Sequence, residues 1–222
     1  MKNKMYPSLV LVKDEQEVDE YVNACFSVIE ELNPNEFLQY FNNSLELYER
    51  NYIISFSYKL GCKYSNLLND DIINGELSKK IDVRSHRMSS TLECLKYSNY
   101  DKYVSFIPDF VIHTNGPNRK LTPDTQKLIM EAKTTPHLTK KGFNWDFFKL
   151  NVYLNKLKYR NAVYLILNTP KVKIDQLLTS YFSEDYYYDK KQIHRFSFII
   201  QENINQYLVN NIFNRLKINE LH

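Results

Sequence analysis

The sequence predicts an α/β protein with a mixed central β-sheet flanked by helices, behind a helical N-terminal region. Two observations carry this reading. Helical periodicity dominates the N-terminal part, and from about residue 101 the pattern becomes strand–strand–helix–strand. The third of those strands, NAVYLILN (161–168), is apolar throughout, as expected for a strand covered on both faces. The chain has 222 residues, 43% hydrophobic and 25% charged, which suffices for one large core.

Taken in order, residues 15–33 read as an amphipathic helix ended by NPN. Residues 35–50 and 52–68 read as two more helices, with Leu45, Tyr48, Tyr52 and Phe56 at helical spacing. NLLNDDIINGE (66–76) is a turn-rich break, and residues 80–100 read as one or two strands. DKYVSFIPDFVIHT (101–114) reads as a strand and NGPNRKLTPDTQ (115–126) as a polar connection. KLIMEAKT (127–134) then reads as a second strand, hairpin-paired with the first. GFNWDFFKLNVYLNKLKYR (142–160) is a helix with Phe143, Phe147, Leu150, Leu154 and Leu157 on one face. It returns the chain to 161–168, parallel to the preceding strand. A short helix over 171–182, a strand over 192–200 and an amphipathic helix over 202–216 complete the chain. Without a repeat or a long linker, residues 1–222 read as one domain. It has an N-terminal extension (1–35), a core (40–170) and a C-terminal strand and helix addition (171–222).

Composition excludes several classes. Only 4 glycines leave little material for a phosphate-cradling loop or a dinucleotide fingerprint. Cys25, Cys62 and Cys94 are far apart and odd in number, which argues against zinc spacing or a disulfide framework and for reduced thiols in a cytoplasm. The N-terminal apolar run is too short for a signal segment or a membrane span. A net charge of +3 neither requires nor opposes a nucleic-acid partner, and the basic clusters at 140–141, 149–160 and 171–173 read by themselves as solvated helix faces.

The chemistry lies where charges interrupt apolar runs: Asp109 in FIPDFVIH, and Glu131 with Lys133 in KLIMEAKT. Alternation along a strand puts Glu131 and Lys133 on one face and Ala132 on the other. A hairpin partner can set Asp109 beside them. Two carboxylates held together need a proton or a cation between them. An oxygen-only pair suits Mg²⁺, and a neighbouring ammonium suits orientation of a water or stabilisation of developing charge. These parts fit hydrolysis of a phosphodiester. Pro108 removes a ladder donor and predicts a bulge or strand edge that aims Asp109.

Pro108-Asp109 followed by Glu131-x-Lys133 resembles the PD-(D/E)xK nuclease superfamily, the restriction-endonuclease-like fold, over about residues 40–170. FFKLNVYL is similar to the helix that many members place after the ExK strand. Lys149 and Tyr153 stand where subfamilies resembling the RecB nuclease carry Gln and Tyr. IPDF…EAK also resembles TnsA-type transposon endonucleases and several restriction enzymes. The resemblance implies a DNA endonuclease dependent on Mg²⁺, with Mn²⁺ substituting. Asp109, Glu131 and the Ala132 carbonyl would hold the metal, and Lys133 would act on the water. It also implies a glutamate from an upstream helix, for which Glu46 and Glu49 are candidates and Glu49 is favoured. Lys140, Lys141, Lys149 and Tyr153 are expected near the phosphate backbone, where contacts give affinity without sequence readout. DNA is the expected partner, with a second copy of the chain or the partner proteins of a mobile element beside it. The alternatives are a transposon- or phage-associated nuclease subunit acting with partner proteins, and a non-catalytic DNA-binding module that retains the fold.

Other motifs read as structural. Pro123-Asp124 stands in turn sequence too close to Glu131 to pair alongside it. His86, His113, His137 and His194 have no metal-ligand spacing, and no serine sits in a nucleophile elbow. The aromatics of 143–153 read mostly as core; Trp145 and Phe148, off the main helix face, are the two rings that could stack on an unpaired base.

Overall fold

The computed structural model describes residues 8–11, 18–41, 44–75, 78–97, 102–116, 120–202 and 213–219. Strand β1 (Ser8–Leu11) precedes helix α1 (Glu20–Glu31), which starts where the Asp19 carboxylate accepts the Tyr21 N–H. A 3₁₀ turn (Pro34–Phe37) leads into a hairpin of β2 (Leu38–Phe41) and β3 (Ser44–Leu47). Helices α2 (Glu49–Lys63) and α3 (Ser65–Leu68) follow. Then come β4 (Asp71–Asn74), β5 (Lys79–Asp82), α4 (His86–Cys94), β6 (Tyr103–Phe106), β7 (Phe110–Thr114) and β8 (Gln126–Lys133). The last part is α5 (Lys140–Val152), β9 (Asn161–Leu167), α6 (Lys171–Ser183), β10 (Phe196–Gln201) and β11 (Phe213–Asn219).

Seven strands form one mixed sheet in the order β1-β11-β10-β9-β8-β7-β4. Strands β8, β9 and β10 run parallel, and the remaining pairs are antiparallel. The expected hairpin is β7 with β8, and α5 is the expected crossover to a parallel β9. Helices α1 and α2 pack on one face over Phe110, Ile112, Leu128, Met130, Val163 and Leu165. Helices α4, α5 and α6 cover the other with Val111, Ile129, Ala162, Tyr164 and Ile166. Both faces of β8 and β9 are therefore covered, which explains the apolar runs Leu128–Met130 of β8 and Ala162–Leu167 of β9. Among the described residues no helix is long and apolar enough to cross a membrane.

Several segments differ from the sequence reading. The N-terminal extension, read as helical, contributes strand β1, and the stretch 66–76, read as a turn-rich break, holds the end of α3 and strand β4; β1 and β4 are the two edges of the main sheet. Residues 35–50 are not a helix but a 3₁₀ turn, the β2–β3 hairpin and the start of α2. A short run such as FLQYF satisfies strand and helix patterns equally, and the Asn42-Asn43 pair is a turn former. Of residues 80–100, read as one or two strands, the described part (80–97) holds the end of β5 and then α4, whose Met88, Thr91 and Leu92 are buried at helical spacing. The stretch 101–114 is two strands in two sheets: β6 pairs with β5, and the chain crosses at Ile107–Asp109 to enter the main sheet as β7. Buried Pro108 marks that crossing and not a bulge; the bulge of β7 lies between Ile112 and His113. In the 202–216 segment, residues 203–212 lie outside the described residues, and Phe213–Asn219 is strand β11.

Candidate active site at the parting of β7 and β8

Register builds the site. Phe110 pairs with Met130, so Asp109 emerges beside Glu131. The Asp109 Oδ2 atom accepts the Ala132 N–H at 2.8 Å, which ties the PD turn to the backbone of the ExK strand. Glu131 and Lys133 share the face covered by α5, while Ala132 is buried against the α1–α2 side. Thr139 caps α5 by accepting the Gly142 N–H, and the helix is buried from Phe143 to Val152 apart from half-buried Trp145. Aromatic packing of Phe147 on Tyr181 and Phe196 holds it in place.

From this fixed helix Asp146 and Lys149, one turn apart, reach the carboxylates of β8. Lys149 Nζ contacts Glu131 Oε2 at 2.6 Å and Asp146 Oδ1 at 3.0 Å. Lys133 Nζ lies 3.3 Å from Asp146 Oδ2 and 3.7 Å from Glu49 Oε1, and donates to the Ala132 carbonyl at 2.8 Å. The buried Tyr164 hydroxyl donates to Asp146 Oδ2 at 3.3 Å. Four carboxylates thus meet two ammoniums. Glu131 Oε1 is buried without a hydrogen-bond partner.

The electrostatics follow from that imbalance. Burial pushes the Glu131 carboxyl well above the usual carboxylate range; Lys149 opposes the shift, and Asp109 and Asp146 add to it. Burial also dominates at Glu49, raising it to about 7 despite Lys133, with Asp109 and Asp146 pushing the same way. For the two lysines burial works against the charge, but the surrounding carboxylates outweigh it and both are held above the ordinary lysine range. The ammonium of Lys149, against two carboxylates, stays charged; the uncompensated charge of the cluster rests on its acids.

Of the residues singled out in the sequence, Asp109, Glu131, Lys133, Glu49 and the Ala132 backbone come together. The side chain of Glu46, on β3, lies outside the described residues. Lys149 and Tyr153 do not line a surface where a phosphate backbone could run. Lys149 is nearly sealed, with 10% of its side chain exposed, and Tyr153 is fully buried with a hydroxyl that has no hydrogen-bond partner. The all-round burial of α5 overrides the polar face that the sequence suggested. Lys140 and Lys141 are exposed at the start of α5, outside the cluster, and Lys140 pairs with Glu184. Trp145 stacks on Tyr97 at 5.0 Å and Phe148 is buried, so neither ring is open to a base. His113 is buried, contacting Asn74 and the Thr114 carbonyl, and His86, His137 and His194 are exposed. Asp124 is exposed in the turn before β8, at the far end of that strand from Glu131.

Asp146 and Tyr164 were missed. Asp146 had a signal: with Lys149 it forms a charged i,i+3 pair inside a helix otherwise filled by Phe143, Phe147, Phe148 and Leu150. Among the described residues, no group of three or more His, Cys, Asp or Glu side chains is gathered so as to hold a metal ion. No family model, curated protein or solved structure matches the chain.

Proposed function

We propose that the chain is a divalent-metal-dependent endodeoxyribonuclease whose site is Asp109, Glu131 and Lys133 with Glu49. The observation that supports this reading is the convergence of the PD turn with the ExK strand, fastened by the Asp109–Ala132 hydrogen bond. The donor set fits a hard divalent cation. It is made of carboxylate and carbonyl oxygens, its acids outnumber its ammoniums, and one buried Glu131 oxygen has no partner. Asp109, Glu131 and the Ala132 carbonyl would hold Mg²⁺ or Mn²⁺. Such an ion supplies polarisation of a phosphoryl oxygen and a lowered pKa for its bound water.

The protein's own groups divide the remaining work. Lys149 holds Oε2 of Glu131 and leaves Oε1 without a partner, the atom that would bind the metal. Asp146 holds both lysines at fixed places. Lys133, tethered to the Ala132 carbonyl, orients the attacking water and stabilises charge developing on the phosphoryl oxygens. Glu49, with its carboxyl at about 7, takes up or returns a proton near neutral pH. Cutting both strands of a duplex takes a second copy or a partner subunit, since the chain carries a single such cluster among its described residues.

The test is nicking of supercoiled plasmid in Mg²⁺ or Mn²⁺. Wild type converts it to open circle, and Glu131→Ala and Lys133→Ala lose this by about a hundredfold or more. DNA binding with no cleavage in any divalent metal would instead identify a binding module.

A further inference from the structure

An open cavity of about 330 Å³ lies against the carboxylate cluster. Its walls are Ile53, Ile54 and Ser57 of α2 and Ile73 of β4, and Glu49, Arg50, Gly75 and Asp109 close it on the side of the cluster. Two of those residues, Glu49 and Asp109, belong to the proposed catalytic machinery, so whatever fills the cavity sits next to the reacting group. The exposed apolar side chains around it are unusual for a solvated helix face. Ile54 is 57% exposed, and Tyr48 and Ile107, the close sequence neighbours of Glu49 and Asp109, are also exposed.

We propose that this cavity receives one unpaired base from a single-stranded segment of the substrate, a specificity that rests on the nuclease reading above. The volume is at the low end of small-ligand sites, roughly 300–1,000 Å³, which suits one nucleoside-sized group and not a base pair. The walls contributed by Ile53, Ile54 and Ile73 are apolar, as a base face requires, and the polar residues Glu49, Arg50 and Asp109 line the remainder. A base in an intact duplex is stacked and paired, and extracting it costs energy that a single strand does not spend. The apolar wall is preformed on a helix and a strand, which lowers the ordering cost of binding.

The experiment measures binding by fluorescence anisotropy with Ca²⁺ in place of Mg²⁺, using a labelled single-stranded 15-mer and the same sequence as a matched duplex. The single strand binds more tightly than the duplex. Ile54→Glu, at an exposed position, and Ser57→Phe, which fills the cavity without charge, each weaken single-strand binding by about tenfold or more, the scale of one lost base contact. Tyr58→Glu adds the same charge one residue from the cavity wall, at a side chain that does not line it, and changes binding far less. Thermal melts confirm that each variant folds. The proposal is overturned if the matched duplex binds as tightly as the single strand, if Ile54→Glu and Tyr58→Glu weaken binding alike, or if Ser57→Phe leaves it unchanged. Absence of Mg²⁺-dependent cleavage, or cleavage that survives Glu131→Ala, sinks the nuclease reading separately and leaves these binding ratios as they are.

Discussion

The two ends of the central sheet both carry charged networks, and they are finished differently. At the end where β4 begins and β7 ends, Asp71 accepts from the Tyr21 hydroxyl at 2.6 Å and the Thr114 hydroxyl at 2.7 Å, with Lys127 at 4.0 Å. Beside it Asp19 accepts from the Tyr21 N–H and from Arg160 at 3.1 Å. Two carboxylates meet two cations, and each of their four oxygens has a donor. At the opposite end, where β7 begins and β8 ends, the ion pairs of Glu49, Glu131 and Asp146 run to Lys133 and Lys149, with Asp109 beside them, and Glu131 Oε1 has no donor among the described residues. A network that serves the fold closes on itself. A buried network left short of positive charge stores repulsion, and on that imbalance the proposed metal site rests.

The comparison breaks most clearly through its cations. Lys149→Met leaves Glu131 buried without its ammonium and Asp146 with Lys133 alone, and costs about 3–5 kcal/mol in urea unfolding at pH 7. Arg160→Met, at a partly exposed pair, costs about 1 kcal/mol or less. Equal costs would mean that the two ends are electrostatically alike. The acids give the opposite contrast: Glu131→Gln raises the melting temperature by relieving repulsion, whereas Asp71→Asn lowers it by breaking a satisfied network.

A smaller effect tests geometry rather than charge. A Cβ on Gly75 would stand 3.1 Å from the main-chain oxygen of Asp109, so the PD turn has to yield by a few tenths of an ångström. Gly75→Ala costs about 1 kcal/mol of stability. It also reduces plasmid nicking by about tenfold, because small displacements of a reacting group are expensive. Unchanged nicking would show that the position of Asp109 does not matter.

The smallest effect is a pH dependence. The folded-state carboxyl of Glu49 at about 7 lies above its ordinary value, so the folded protein binds more protons than the unfolded chain in between. Its contribution to stability is therefore greatest below pH 4.5 and is lost as pH rises towards 7. Denaturation midpoints of wild type and Glu49→Gln, followed from pH 4 to 8, should show wild type losing ground to the variant over that window. Parallel curves would remove Glu49 from the cluster.

The residues that were legible in the sequence share one property: their signal is local. Asp109, Glu131 and Lys133 each interrupt an apolar run, and a hairpin is enough to bring them together. The crossover helix and parallel β9 followed from periodicity in the same way. The placement of Asp146 and Lys149 against Glu131 depended on knowing that α5 is buried on nearly every side, which no helical wheel of α5 alone can show. The β2–β3 hairpin and α4 were misread because short runs are decided by what they pack against, and that partner is distant in sequence. The cavity beside Glu49 was invisible for a similar reason, being made by α2, β4 and the PD turn together.

Crystals soaked in Mn²⁺ and measured for anomalous scattering test the central claim most directly. The account predicts a peak bound by Asp109, by the unpartnered Oε1 of Glu131 and by the Ala132 carbonyl, with Lys149 still on Oε2. A cluster that takes up no ion, or an ion that settles elsewhere while Glu131 keeps Lys149 as its only cation, would contradict it.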